Sequence, residues 1–164
     1  MSLTPTETSL IDAANAVIDA VPRGTVERRI TDHTVGSAVL CSDGRIFTGV
    51  NVFHFSGGPC GENVAFANAA AAGIASASSP GIGDGAVLTH VVAVANDQRG
   101  VINPCGRCRQ LMFDYYPDIK VIIKDGEGLR TATVPELLPF AYVSGFRTKA
   151  YQHLEGGKEY KTSS

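Results

Sequence analysis

The sequence predicts one α/β domain: a sheet whose first two strands are antiparallel, with helices covering both faces. Three observations predict it. Leu10, Ile11, Ala14, Val17, Ile18 and Val21 recur at three- and four-residue steps and form one apolar stripe. Two short β-prone runs follow, joined by a tight turn. Beyond them, apolar strand-like runs alternate with helical segments. A length of 164 residues suits a single core. The expected division is one domain over residues 1–145 and a polar tail, docked or mobile, over 146–164.

The first helix is expected from Thr4 to Val21, with Thr6 or Thr8 capping its start and Pro22 with Gly24 ending it. "TVGSAVLC" and "RIFTGVNV" then read as a hairpin, because "SDG" places Gly44 where a positive φ is needed. "HFSGGPCG" is a Gly/Pro-rich turn leading into "ENVAFANAAAAGIA", whose alanines favour helix and close packing. "SASSPGIGDGA" has the composition of a surface loop. "LTHVVAVAN" is apolar or small at nearly every position, the mark of a buried strand. "VINPCGRCRQLMFDYY" reads as a turn feeding a helix that Pro117 stops. "IKVIIKD" is a further strand, "GEGLRTAT" a turn with a short last strand, and "VPELLP" a short helix. The sheet therefore has five strands.

Composition excludes several classes. With 44% hydrophobic and 18% charged residues the balance is that of a globular protein, not a disordered one. A net charge of -2 and the lack of a Lys/Arg run argue against nucleic acid and for a small-molecule substrate. No uninterrupted apolar run approaches the ~20 residues of a membrane span. "MSLTPTETSL" lacks the pattern of a secretory signal, so a cytoplasmic location is expected. Four cysteines in a reducing compartment point to metal or catalysis before a disulfide framework.

The chemistry lies in two segments, "GGPCGE" and "NPCGRCRQ", each placing Pro-Cys at a turn-to-helix junction. A helix N-terminus presents unpaired N–H groups and a positive dipole end, which favours the thiolate that binds metal. Cys105 and Cys108 are three apart and can face one point from a first helical turn, and Cys60 can supply a third sulfur. Three thiolates leave one corner of a zinc tetrahedron open, the mark of a catalytic rather than a structural site. Glu62, two residues after Cys60, lies close to such a metal yet too near in sequence to be an easy co-ligand. A carboxylate there can take a proton from water and redeliver it to substrate. Cys-x-Glu followed by Pro-Cys-x-x-Cys is the zinc nucleobase deaminase pattern, in which C4 of cytosine or C6 of adenine is attacked.

At these residues the chain resembles the cytidine deaminase superfamily, and blasticidin S deaminases in particular. The similarity runs from about Gly36 to Tyr142 and includes "DGRIFTGVNVFHFSGGPCGE", "NPCGRCRQ", "IKVIIKD" and "ELLPFAYV". The resemblance implies a three-layer α/β/α fold with a mixed five-stranded sheet and a homotetramer whose active sites borrow residues from neighbours. It implies one zinc per subunit on Cys60, Cys105 and Cys108, with Glu62 as proton shuttle. Asn51 matches a sugar-binding asparagine, and backbone groups around Cys60, Gly61 and Pro104 are expected to hold the ring edge. The implied reaction is deamination of the cytosine ring of a nucleoside, blasticidin S-type or a cytidine analogue.

Departures from the pattern shape these expectations. Phe53 stands where cytidine deaminases carry a sugar-binding glutamate, which favours a modified cytosine nucleoside over cytidine. Gly61 replaces the usual alanine. Asn63 replaces an arginine that compensates the thiolates, a role Arg109 is placed to share. A tryptophan typical of blasticidin-type sequences is missing, with Ser144 or Phe146 in its place.

Rival readings stand beside these. "CGRC" has redox spacing, but that reading leaves Cys60 and Glu62 unexplained. A structural zinc would need a fourth ligand, for which His54 is the nearby candidate, though a histidine among aromatics more often packs or lines a pocket. Phe53 and Phe55 are expected in an apolar pocket or the core, and Cys41 as a small buried residue.

Overall fold

The computed structural model describes residues 3–22, 32–76, 83, 85–126 and 128–143. Helix α1 spans Pro5–Asp19. Its cap is Thr4, not Thr6 or Thr8: Thr4 Oγ1 accepts from the Glu7 N–H, the Glu7 carboxylate accepts from the Thr4 N–H, and Pro5 starts the first turn. Those contacts satisfy donors that a helix start otherwise leaves open. Gly24, the expected terminator, lies outside the described residues, and the helix has already ended at Ala20.

Strands β1 (Val35–Cys41) and β2 (Ile46–Val50) form the expected hairpin, with Gly44 at φ 90°. Helix α2 covers Gly61–Ala71 and β3 covers Leu88–Ala95. Next comes a strand absent from the sequence reading, β4 (Gly100–Ile102), antiparallel to Ala93–Ala95 of β3. Its turn has both Asp97 and Gln98 at φ 58°, the left-handed pair that matches a tight hairpin. Three residues are too few to show an alternating pattern, so β4 read as turn. Helix α3 (Gly106–Tyr115), β5 (Lys120–Asp125), β6 (Gly128–Thr133) and α4 (Val134–Leu137) complete the order. The expected loop at "SASSPGIGDGA" lies mostly outside the described residues, as do the 146–164 tail, Ser144 and Phe146.

The sheet runs β2-β1-β3-β5-β6, with β4 beside the end of β3. The β3–β5 pair is parallel and the others are antiparallel, so the sheet is mixed, with the five expected strands on its main path. Period-two alternation divides its residues between two cores. Ala38, Leu40, Val92, Val94 and Ile122 face α1 with Leu10, Ala14 and Ile18. Val39, Cys41, Val91, Val121 and Ile123 face the opposite layer, with Ala65 and Phe66 of α2 and Cys108 and Met112 of α3. The three layers are thus α1, the sheet, and α2 with α3. Each fully buried aliphatic side chain contributes roughly 1.5–3 kcal/mol. Leu88 would alternate with Val92, but a bulge beside Leu40 and Cys41 shifts the register, and Leu88 joins the other core.

Helix α2 lies directly on β2 because Gly49 has no side chain. A Cβ there would meet Gly61 O and Val64 C at 2.8 Å. That contact fixes the start of α2 over the end of the sheet where β2 leaves and β4 begins. The site is built at this end.

Candidate active site

Cys60 is the N-cap of α2 and Cys105 the N-cap of α3, and neither helix has a side-chain cap hydrogen bond. Cys108 follows in the first turn of α3, fully buried. The three Sγ atoms all lie within 4.8 Å of one another, and Cys60 Sγ is 3.7 Å from Cys105 Sγ. This is the one group of three or more His, Cys, Asp or Glu side chains among the described residues that converges as a metal site would. His54 is not in it. Its Nδ1 bonds Ser56 Oγ at 2.5 Å and accepts from the Ser56 N–H, and its ring packs on Phe55 at 4.4 Å.

Glu62 lies in the first turn of α2 with only 5% of its surface exposed. Burial raises its carboxyl above the usual carboxylate range, against the lowering effect of its own N–H and of the Cys108 thiol. Burial also raises Cys108, and the negative neighbours Glu62, Cys60 and Cys105 push it further up. Cys60 is raised chiefly by burial. For Cys105 burial acts upward, but the Cys108 N–H, the two neighbouring thiols and the Arg107 N–H bring it down on balance. At Cys105 the N–H groups of the first turn of α3, with the neighbouring thiols, thus outweigh burial, whereas at Cys60 and Cys108 burial dominates. Three thiols and a carboxyl crowded together oppose one another's ionisation, and a bound cation reverses that penalty. The donor set fits zinc, which takes thiolate ligands and tetrahedral spacing.

A cavity of about 350 Å³ opens beside Cys60, Cys105 and Glu62, within the range of small-ligand sites. Asn51, Phe53 and Gly61 also line it. Asn51 is anchored by its own chain: Oδ1 accepts from the Thr34 and Val35 N–H groups at 2.7 and 2.8 Å, and Nδ2 donates to Thr34 Oγ1 at 3.2 Å. Phe53 is 66% exposed at the mouth, and Phe55 is almost wholly exposed, so neither belongs to the core. Gly61 is buried, and an added Cβ would stand 3.1 Å from Val35 O, a tight contact. Pro104 is buried beneath the cluster with Glu62 and Met112.

Arg109 donates from Nε to Pro104 O at 2.9 Å and from Nη1 to Leu137 O at 3.1 Å. Its hydrogen bonds among the described residues thus clamp the loop before α3 to α4. Two neighbours went unassigned in the sequence. Arg107 donates through Nη1 to Gly58 O at 3.2 Å, tying the two Cys loops together. Asn63 places Oδ1 3.7 Å from Cys108 Sγ. Its position after Cys-x-Glu was the available signal.

The fold agrees with comparisons to known proteins. No family model matches the chain. It is similar to a blasticidin-S deaminase of Bacillus cereus, 33% identical over 116 residues, which span 67% of this chain and 77% of the relative. A cytidine deaminase of Halalkalibacterium halodurans is 32% identical over 114 residues, with the same shares covered. Among solved structures, a cytidine deaminase from Burkholderia pseudomallei aligns with a TM-score of 0.62 at 28% identity, over 85% of this chain and 100% of that one. A cytidine deaminase from Mycobacterium leprae aligns with a TM-score of 0.56 at 29% identity, over 81% and 97%. The chain belongs to the cytidine deaminase superfamily. It is a cytidine deaminase-like hydrolase with three cysteines placed as a metal site. No helix among the described residues is long and apolar enough to cross a membrane.

Proposed function

We propose that this protein is a zinc-dependent aminohydrolase that converts the cytosine ring of a nucleoside to its uracil form with release of ammonia. Blasticidin S-type nucleosides and cytidine analogues are the substrates the reading favours, and cytidine or deoxycytidine the alternative. One observation carries it: Glu62, a buried carboxyl, touches the Cys108 thiol beneath a cavity that opens beside Cys60 and Cys105.

Cys60, Cys105 and Cys108 would hold the metal. Bound there, zinc lowers the pKa of a water toward neutrality and supplies a nucleophile for C4. Glu62 would take one proton from the attacking water and give it to ring N3 as the C4–O bond forms. It would then take the second proton from the new C4 hydroxyl and give it to N4, so that C4–N4 breaks, ammonia leaves and the C4 carbonyl forms. Its raised proton affinity suits a group that must both take and return a proton. The Gly61 N–H and the second amide hydrogen of Asn51 are the donors offered to the ring and sugar, the Pro104 carbonyl flanks the base end, and Phe53 packs against the outer edge. The same reading makes the protein a cytoplasmic homotetramer with one zinc per subunit. The exposed Phe55, Phe140 and Tyr142 support burial of this face against other subunits.

The test is ammonia release from blasticidin S, cytidine, deoxycytidine and cytosine. Release from at least one nucleoside is expected, and none from any of the four by zinc-loaded protein overturns the reading.

A further inference from the structure

The sheet divides beside the cysteine cluster. One edge of β3 pairs with β1. The other edge pairs with β5 at His90 and Val91, and then with β4 at Ala93, Val94 and Ala95. β4 therefore comes between the end of β3 and the end of β5. The β3–β5 ladder stops at Val121, while β5 runs on to Asp125, paired among the described residues with β6 only.

Asn103, the first residue after β4, bridges this split. Its Oδ1 accepts from the Lys124 N–H at 2.8 Å, and its Nδ2 donates to Lys124 O at 3.0 Å. A backbone peptide offers one donor and one acceptor to a neighbouring strand, and a carboxamide offers the same pair. The Asn103 side chain thus stands in for a strand beside the end of β5.

Two residues later the chain reaches Cys105, the N-cap of α3. Pro104 between them has a fixed φ, so little slack separates the anchored carboxamide from the sulfur. From the helix side the same loop is held by Arg109, whose Nε donates to Pro104 O, and by Arg107, whose Nη1 donates to Gly58 O ahead of Cys60. Asn103 ties the loop to the sheet. Both of its bonds are exposed, so water takes them over readily when the carboxamide is removed. Water does not restore the geometry.

We infer that Asn103 is a positioning residue for the metal site, its pairing with Lys124 fixing where Cys105 meets Cys60 and Cys108. The inference rests on the zinc reading of that cluster. Residues that orient metal ligands from outside the ligand set are typically worth about 10–100-fold in metal affinity.

The experiment titrates the zinc-loaded full chain with a chromophoric chelator, which gives the zinc Kd. Cobalt(II) exchanged for zinc then reports ligand geometry through its absorption bands. Asn103→Ala should keep the wild-type circular dichroism, bind zinc at least tenfold more weakly and show displaced cobalt bands. Thr4→Ala is the control. It removes the cap of α1, on the opposite face of the sheet, and should lower the melting temperature while leaving Kd and bands unchanged. A loss below tenfold in Asn103→Ala, or unaltered bands, overturns the inference and leaves the zinc reading intact. So does an equal loss of affinity in Thr4→Ala, because general destabilisation then explains both. Wild-type protein that binds no zinc would remove the zinc reading, and the inference with it.

Discussion

Cys60 Sγ and Cys105 Sγ stand 3.7 Å apart, each residue the N-cap of a different helix. A disulfide would need about 2.05 Å. Two sulfurs bound to one zinc at about 2.3 Å with a tetrahedral angle stand about 3.8 Å apart. The separation matches two ligands of one zinc ion. Purified protein is expected to carry about one zinc per chain. Cys105→Ser changes an exposed residue and spares the core, so it should fold yet lose both zinc and turnover. Elemental analysis with circular dichroism checks this, and a metal-free wild type with full activity would refute it.

Glu62 is buried, touches the Cys108 thiol and belongs to the cavity wall. Glu62→Gln keeps the volume and a hydrogen-bonding end while removing the proton acceptor. Turnover should fall by about 10²–10⁴-fold, the usual worth of positioned acid–base catalysis. Zinc content should be unchanged. A variant that loses zinc in parallel with activity would make Glu62 a ligand instead.

The layers and the site were legible in the sequence to different degrees. The stripe Leu10–Ala14–Ile18 and the alternation through β1 are local periodicities, so burial could be read from them directly. The convergence of Cys60 with Cys105 and Cys108 was legible because Pro-Cys at two helix starts constrains both backbone and chemistry. Contacts between segments distant in the chain were not. The engagement of Asn51 by Thr34 and Val35 depends on how the strand ends meet, and no spacing records it. Arg109 read as a neighbour of sulfur because it follows Cys108, but its reach to Leu137 depends on where α4 packs. The short β4 was invisible because its pairing with β3, not its composition, makes it a strand.

Arg109 allows charge balance and mechanical clamping to be separated. Its guanidinium donates to two carbonyls, Pro104 O and Leu137 O. Charged hydrogen bonds of this kind contribute about 1.5–3 kcal/mol. Arg109→Met keeps the apolar stem and should lower the melting temperature by roughly 4–8 °C for a loss of about 2 kcal/mol. Zinc affinity should change little. A large loss of zinc affinity with an unchanged melting temperature would assign Arg109 to charge balance instead.

Glu7 couples α1 to the far edge of the sheet, and the coupling depends on pH. Its Oε1 accepts from Thr131 Oγ1 of β6, its Oε2 from the Thr4 N–H and hydroxyl, and His90 Nε2 of β3 lies 3.9 Å from Oε1. The Thr131 hydroxyl most of all, then the Thr4 N–H, hold the carboxyl below its usual range against the opposing effect of burial. Burial lowers His90, whereas Glu7 raises it and Lys120 lowers it further. A carboxyl whose folded pKa lies below its unfolded value stabilises the fold above the unfolded pKa, and the contribution is lost as pH falls through the folded one. Glu7→Gln should therefore be less stable than wild type at pH 7, by about 1 kcal/mol for the weakened acceptor. The gap should close as pH falls below the ordinary carboxylate range, near 4.5. Urea unfolding of both proteins across that window measures it, and a difference that stays constant or widens at low pH would assign Glu7 no charge-dependent role.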